Sequence, residues 1–200
     1  MKQCHLYIVL TRTNTVMSKL IAIFKNDKYT HAAISLDKEL NHMYSFGRRN
    51  TYNPFIGRFR KEDINEGVYK FCNILPGAII EIEVSKQQYK KAKLLLEHFI
   101  SNGDLYKYNY KGIVHSLLNK EACSDNRFLC SEFVYYILKE SGIADLKISR
   151  NLVRPQSLLD DIKGKIIYEG NLKEIKLPGN QLYPKEEISN YIITPSISSR

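Results

Sequence analysis

The most regular helix pattern in the sequence lies in residues 128–138, which read FLCSEFVYYIL. From Cys130 onward the apolar residues recur at intervals of three and four, which places them on one face of a helix. The pattern predicts a helix over residues 130–141 that ends at Gly142. Cys130 then lies in the first turn, where unpaired backbone N–H groups create a positive potential that favours a thiolate. The alternative role for this cysteine is a small apolar residue packed beneath the helix.

A second informative stretch is residues 29–37, which read YTHAAISLD and predict a strand over residues 30–36. His31 begins this strand, and Ala33 and Ser35 are its neighbours on the same face. We expect these small side chains to let the helix of Cys130 approach, so that His31 reaches the thiol. A cysteine paired with a histidine is the nucleophile and base of thiol hydrolases and transferases. The alternative for His31 is a solvated or hydrogen-bonded residue at a strand start.

The remaining pattern predicts an α+β fold with a mainly antiparallel sheet packed against helices, including the helix of Cys130. We expect one domain over residues 1–177 and a loosely held tail over 178–200, which contains three prolines. The other predicted strands are 5–10, 42–46, 68–72, 78–84, 165–168 and 172–177. The other predicted helices are 16–24, 85–103 (which opens with the capping box of Ser85 and Gln88), 112–118 and 155–162.

Composition restricts the class of protein. The chain has 200 residues, of which 44% are hydrophobic and 26% charged, so disordered, collagen-like and coiled-coil proteins are excluded. The net charge of +9 favours an anionic partner, such as nucleic acid, a phospholipid surface or an acidic polymer. We find no apolar run long enough to span a membrane and no signal-peptide pattern in residues 1–24, so we expect a cytoplasmic protein.

The cysteine and histidine spacings predict neither a metal site nor a cofactor. The four cysteines stand at positions 4, 72, 123 and 130, a spacing that fits neither a zinc site nor a C-x-x-C redox pair. Disulfides are not expected in a reducing cytoplasm. The histidines outside the two motifs lack ligand spacing with any acidic residue or cysteine.

The two motifs, in this order, resemble the circularly permuted branch of the NlpC-like, papain-fold hydrolases. That branch includes the bacterial YiiX-like amidases and the relatives of lecithin:retinol acyltransferase. In ordinary papain-fold chains the cysteine helix precedes the histidine strand, whereas here the histidine strand comes first. The resemblance covers roughly residues 3–160 and implies a cysteine hydrolase, amidase, thiol protease or acyltransferase.

The resemblance implies that His31 takes the proton of Cys130 and that Cys130 forms a thioester with an acyl group. The Cys130 backbone N–H and one further donor, which the sequence does not reveal, would hold the oxyanion. The family also has a polar residue on the next strand, which orients the imidazole. A hairpin turning at residues 37–41 pairs position 31 with 47 and 33 with 45, so Ser45 is the best positional match. A slip of one residue would replace it with His42.

Residues 47–66 form a predicted long connection that carries five basic and three aromatic residues. Because it follows the strand beside His31, we interpret it as a loop overhanging the site, where Arg48 and Arg49 would admit an anionic small-molecule, peptide or lipid substrate. A solvated basic loop is the alternative. A non-catalytic module that binds nucleic acid or a membrane surface is the second function hypothesis, to which the Lys/Tyr cluster at 105–111 adds a weak hint.

Overall fold

The computed structural model of the protein describes residues 3–12, 27–48 and 57–175. The predicted helix over 16–24 and the tail over 178–200 lie outside these ranges. The described strands are β1 (Cys4–Thr11), β2 (His31–Ser35), β3 (Met43–Arg48), β4 (Gly57–Glu62), β5 (Pro76–Val84), β6 (Lys107–Tyr108), β7 (Arg127–Phe128) and β8 (Lys165–Asn171). The α-helices of the same ranges are α1 (Lys86–Ser101), α2 (Tyr110–Leu117), α3 (Cys130–Glu140) and α4 (Pro155–Asp161).

Six strands form an antiparallel sheet in the order β4-β3-β2-β1-β5-β8. The hairpin of β2 and β3 has the predicted register, because Ile34 lies opposite Tyr44 and Ser35 opposite Met43. Continued along both strands, this register places Gly47 opposite His31. The predicted α+β class with an antiparallel sheet is thereby confirmed, and β6 and β7 add a short parallel pair that the sequence did not predict.

The helices begin where local sequence signals place them. Ser85 accepts a hydrogen bond from the Gln88 backbone N–H while the Gln88 side chain accepts one from the Ser85 N–H, so the predicted capping box of α1 is confirmed. Pro155 is the first residue of α4, a position where its missing N–H costs nothing. None of the helices in the described ranges combines the length and the apolar character that crossing a bilayer requires.

The sheet separates two hydrophobic cores. The larger one, here called the helix-side core, joins Ala32 and Ile34 of β2 to Phe133, Val134 and Ile137 of α3. The smaller one, the second core, contains alternate residues of the same strands together with Tyr69 and Leu172. Strand residues alternate between the two cores because successive side chains point to opposite faces of a sheet.

Because of this alternation, the prediction that the helix of Cys130 packs on the strand face of Ala33 and Ser35 is wrong. Ala33 belongs to the second core, whereas α3 packs on the opposite face against Ala32 and Ile34. The small residues on the His31 face therefore do not admit the helix. His31 is the first residue of β2 and Cys130 the first of α3, so the two meet at the end of the strand and not across its face.

Three predicted segments differ in the structure. The expected loop at 47–66 is wrong for residues 57–62, which form β4. Gly47, Pro54 and Gly57 favoured a loop in the sequence. The strand forms because Phe59 packs in a cluster with Phe46 and Phe133. The predicted strand at 68–72 is a 3-10 helix over Gly67–Phe71. It starts at a glycine with φ of +58°, which an extended strand does not allow. Instead of a strand at 172–177, residues Leu172–Glu174 form a 3-10 turn.

Candidate active site

Cys130 opens α3 and lies close to the surface of the helix-side core, with 7% of its area exposed. A buried glutamate fixes this helix start. The Leu129 backbone N–H donates to Glu132 Oε2 at 2.6 Å, and the Asn109 amide donates to both oxygens of the same carboxylate at 3.2 Å. Burial raises the pKa of Glu132, which these hydrogen bonds counteract. Glu132 thus stabilises the first turn of α3, which contains Cys130.

His31 is hydrogen-bonded to an acidic side chain that the sequence analysis did not identify. Its Nε2 lies 3.1 Å from Oε2 of Glu62, the last residue of β4. The imidazole is 16% exposed and the Glu62 side chain only 3% exposed. A carboxylate can only accept, so the Nε2 carries the proton of this hydrogen bond, and Nδ1 is the nitrogen left for another partner.

Glu62 is held by a small polar network behind the imidazole. The Tyr69 hydroxyl donates to Glu62 Oε2 at 3.1 Å and lies 3.3 Å from Thr11 Oγ1. Gly47 makes room for the carboxylate, because a Cβ at that position would lie 2.9 Å from Glu62 Oε1. The Tyr69 hydroxyl and the His31 imidazole thus share Oε2 of this carboxylate.

The charges of this cluster reinforce one another. Burial works against a charged imidazole, but the Glu62 carboxylate, followed by Cys130, raises the pKa of His31 from 6.5 to about 10. Burial also works against a charged Glu62, yet its pKa is lowered, first by His31 and then by Ser45 and Arg60. The pair is therefore an imidazolium and a carboxylate at neutral pH, and each ion stabilises the other.

Cys130 is the third member of the cluster. Its side chain lies close enough to the imidazole to contribute, after Glu62, to the raised pKa of His31, and it also contributes to the raised pKa of Tyr69. The structure thus brings together His31 and Cys130, the two residues that the sequence motifs singled out. Since Nε2 is bonded to Glu62, Nδ1 is the ring nitrogen available to the thiol.

Ser45 and His42, the sequence candidates for the orienting residue, lie elsewhere. Ser45 is buried beside Glu62, where its hydroxyl helps to lower the pKa of that carboxyl. Glu62 therefore occupies the position beside the imidazole that was expected of Ser45. The exposed His42 sits in the β2–β3 turn, where its Nδ1 lies 3.1 Å from Asp37 Oδ1. The side chain that binds the imidazole is Glu62.

Glu62 escaped the sequence analysis because it lay within the stretch interpreted as a loop. One signal could have found it. The run of residues 57–62 alternates, with Phe59 between two arginines, and a third strand beside the histidine hairpin would place a glutamate on the His31 face. Arg48 and Arg49, proposed to capture substrate, lie at or beyond the limit of the described residues.

A cleft of about 500 Å³, including its open mouth, adjoins the cluster on the side of Cys130. Its walls come from the end of β2, from α2 and from the start of α4. Its described lining is mostly apolar, with Tyr108, Ile113, Leu129, Val153 and Pro155, and the charged Arg154 is paired with Asp27. The cleft gives a ligand a route to the thiol.

The other three cysteines occupy unrelated positions. Cys4 and Cys72 are half-buried and Cys123 is exposed, and all four thiols are free. In the part of the chain that the structure describes, no group of three or more His, Cys, Asp or Glu side chains is arranged to hold a metal ion.

Comparison of the chain with protein-family models, with curated proteins and with solved structures found no match.

Proposed function

We propose that the protein is a thiol-dependent hydrolase or acyltransferase that acts on an amide or ester. Cys130 is the nucleophile, His31 the general base and acid, and Glu62 the residue that orients the imidazole. The observation that carries the proposal is the buried hydrogen bond between Glu62 and His31 next to a cysteine at a helix start. A nucleophile, a base and a third group that orients the base are the recurring parts of such sites.

The proposed reaction has two stages. The Cys130 thiolate attacks the acyl carbonyl and forms a tetrahedral intermediate, which collapses to a thioester as the C–N or C–O bond breaks. The imidazolium of His31 gives its Nδ1 proton to the leaving amine or alcohol. Water or an acceptor amine or alcohol then loses a proton to Nδ1 and attacks the thioester, which releases the acyl group and restores the thiolate.

The order of elements agrees with the permuted papain-like arrangement that the motifs resemble. The histidine strand precedes the cysteine helix, and the helix packs on the antiparallel sheet. We propose a small-molecule, peptide-like or lipid acyl substrate, and a cytoplasmic location for the reaction. The apolar lining of the cleft supports an uncharged acyl group next to Cys130.

The binding-module hypothesis has less support. Tyr106, in the Lys/Tyr cluster that hinted at nucleic acid, packs on Phe99 with ring centroids 4.4 Å apart and hydrogen-bonds to His98. Such a ring is engaged by the protein and offers no free face to a base. A buried ion pair beside a thiol is also a costly arrangement for a surface whose task is only to bind anions.

Site-resolved alkylation tests the proposed function. The protein is treated with iodoacetamide at neutral pH, and labelling of each cysteine is followed by peptide mass spectrometry. We expect Cys130 to react faster than exposed Cys123, although it is far less accessible, because it lies beside the imidazole that would act as its base. His31→Ala should slow labelling of Cys130 and leave Cys123 unchanged.

Cys123→Ser is the matched control, since it removes an exposed thiol outside the cluster and should preserve the rate at Cys130. Cys130→Ser should abolish the fast phase. Slow, unselective labelling of all four cysteines in the wild-type protein would overturn the enzyme proposal. Submicromolar nucleic-acid binding with a steep salt dependence would then identify the binding module.

A further inference from the structure

The cleft beside Cys130 contains a buried hydroxyl that nothing in the described structure uses. Thr30, which precedes His31, lines this cleft together with Leu129 and Cys130 and is only 6% exposed. Its Oγ1 is buried and makes no hydrogen bond with any described residue. A buried hydroxyl without a partner destabilises the fold, so a native protein seldom keeps one unless a ligand or a reaction uses it.

Two neighbouring polar side chains of the cleft already have partners. The Ser131 hydroxyl donates to the Val153 carbonyl at 2.6 Å, and the Arg154 guanidinium is paired with Asp27. The Thr30 backbone N–H is also engaged, since it donates to the Thr11 carbonyl at 3.0 Å. Among the described lining residues, Thr30 thus carries a buried hydroxyl that remains available to a ligand.

The start of α3 provides the second half of an anion site. The first backbone N–H groups of a helix have no partner within the helix and carry its positive potential. Cys130 is the first residue of this helix, so its own N–H lies beside the sulfur that would attack. A single N–H is a weak oxyanion site, whereas two convergent donors are the usual arrangement.

Resting on the proposed function, we infer that Thr30 supplies the second oxyanion donor. When the thiolate adds to the acyl carbonyl, the C=O π bond breaks and its electron pair moves onto oxygen. The Thr30 O–H and the Cys130 N–H both donate to that oxygen. Neither proton is transferred, and both hydrogen bonds weaken when the intermediate collapses to the thioester. Thr30 is then a catalytic residue that touches the reacting atoms.

The experiment compares Thr30→Val with Thr30→Ser. Valine has nearly the same shape without the hydroxyl, and serine keeps the hydroxyl. Two reactions of Cys130 are measured in each protein: acylation by p-nitrophenyl acetate, which passes through an oxyanion, and alkylation by iodoacetamide, which does not. Circular dichroism melts verify folding, and Thr30→Ala replaces the valine variant if that variant does not fold.

We expect Thr30→Val to slow acylation by about 100- to 1,000-fold and to leave alkylation unchanged, while Thr30→Ser retains most of the acylation rate. Unchanged acylation in Thr30→Val would overturn the inference and leave the proposed function intact. A parallel fall of acylation and alkylation would also overturn it, because the hydroxyl would then act by holding Cys130 and His31 in place. A wild-type protein that is inert toward both reagents would overturn the proposed function itself.

Discussion

At the scale of single residues, the proposed mechanism depends most on the side chain of Glu62. It is nearly inaccessible to solvent, and the imidazole of His31 and the hydroxyl of Tyr69 both bind its Oε2. A buried carboxylate is stable only when paired and hydrogen-bonded, so its position is coupled to that of His31. Because the imidazole lies between the two side chains, Glu62 is expected to affect Cys130 by setting the protonation state of His31.

Glu62→Gln should keep the shape of this network and remove its charge. Because the carboxylate is the main group that raises the pKa of His31, we expect that pKa to fall and the imidazolium to be lost at neutral pH. Alkylation of Cys130 at neutral pH should slow by about 100-fold.

Glu66→Gln is the matched control, since Glu66 is exposed and its side chain makes no capping hydrogen bond to the 3-10 helix of Tyr69 that it precedes. It should alkylate like the wild-type protein. Equal rates in the wild-type and Glu62→Gln proteins would show that the carboxylate does not act on the thiol.

Single residues also show how much of the candidate site could be predicted from the sequence. Cys130 and His31 stand in short motifs whose local structure is readable from the chain, so both could be predicted. Glu62 was missed, because its place beside His31 depends on a strand pairing and the segment that contains it carries the glycines and charges typical of a loop. The orienting position was predicted from the neighbouring strand β3, whereas the structure uses β4, one strand further.

At the scale of elements, the three strands β2, β3 and β4 form the platform of the site. Gly47 of β3 lies between the strand of His31 and the strand of Glu62. Without a side chain at this position, the carboxylate crosses β3 to reach the imidazole. The glycine is required here by close approach and not by its backbone angles.

Gly47→Ala should displace the Glu62 carboxylate, because the new methyl group would lie 2.9 Å from Oε1. We expect slower alkylation of Cys130, in the direction of Glu62→Gln but smaller, with the sheet still formed. The double variant Gly47→Ala/Glu62→Gln should be no slower than Glu62→Gln alone, since the carboxylate is already gone. Additive losses would mean that Gly47 acts by another route.

Elements with strong local signals were predicted well and those defined by tertiary contacts were not. The capping box of α1 and the β2–β3 register follow from adjacent residues, and both are confirmed. Residues 57–62 become a strand because Phe59 joins the aromatic cluster of Phe46 and Phe133, which come from distant parts of the chain.

At the scale of the whole molecule, the site depends on folding, since β2, β4 and α3 each contribute one member. The ion pair of His31 and Glu62 consequently contributes to the free energy of unfolding in a way that depends on pH. The pKa of His31 is raised from 6.5 to about 10, so its contribution is complete below pH 6.5 and is lost as pH rises through about 10. The pKa of Glu62 is lowered from 4.5, so its contribution is present above pH 4.5 and is lost in more acidic solution.

We therefore expect the difference in melting temperature between the wild-type protein and Glu62→Gln to be largest between about pH 4.5 and 6.5 and to shrink toward pH 10. Breaking a buried pair by removing one charge costs about 3–5 kcal/mol, which is a large effect for a domain of this size. Thermal melts followed by circular dichroism across this range make the measurement. A difference that stays constant with pH would show that the two groups do not form an ion pair.

The position of β4 at the border of the described sheet has one more consequence. Edge strands can detach in local fluctuations that leave the rest of a protein folded. Such local openings require less free energy than global unfolding. Each opening carries Glu62 away from His31 while Cys130 stays anchored on α3. Under mild heat or denaturant, the thiol should therefore lose its special reactivity while the spectroscopic signature of the helices is still intact.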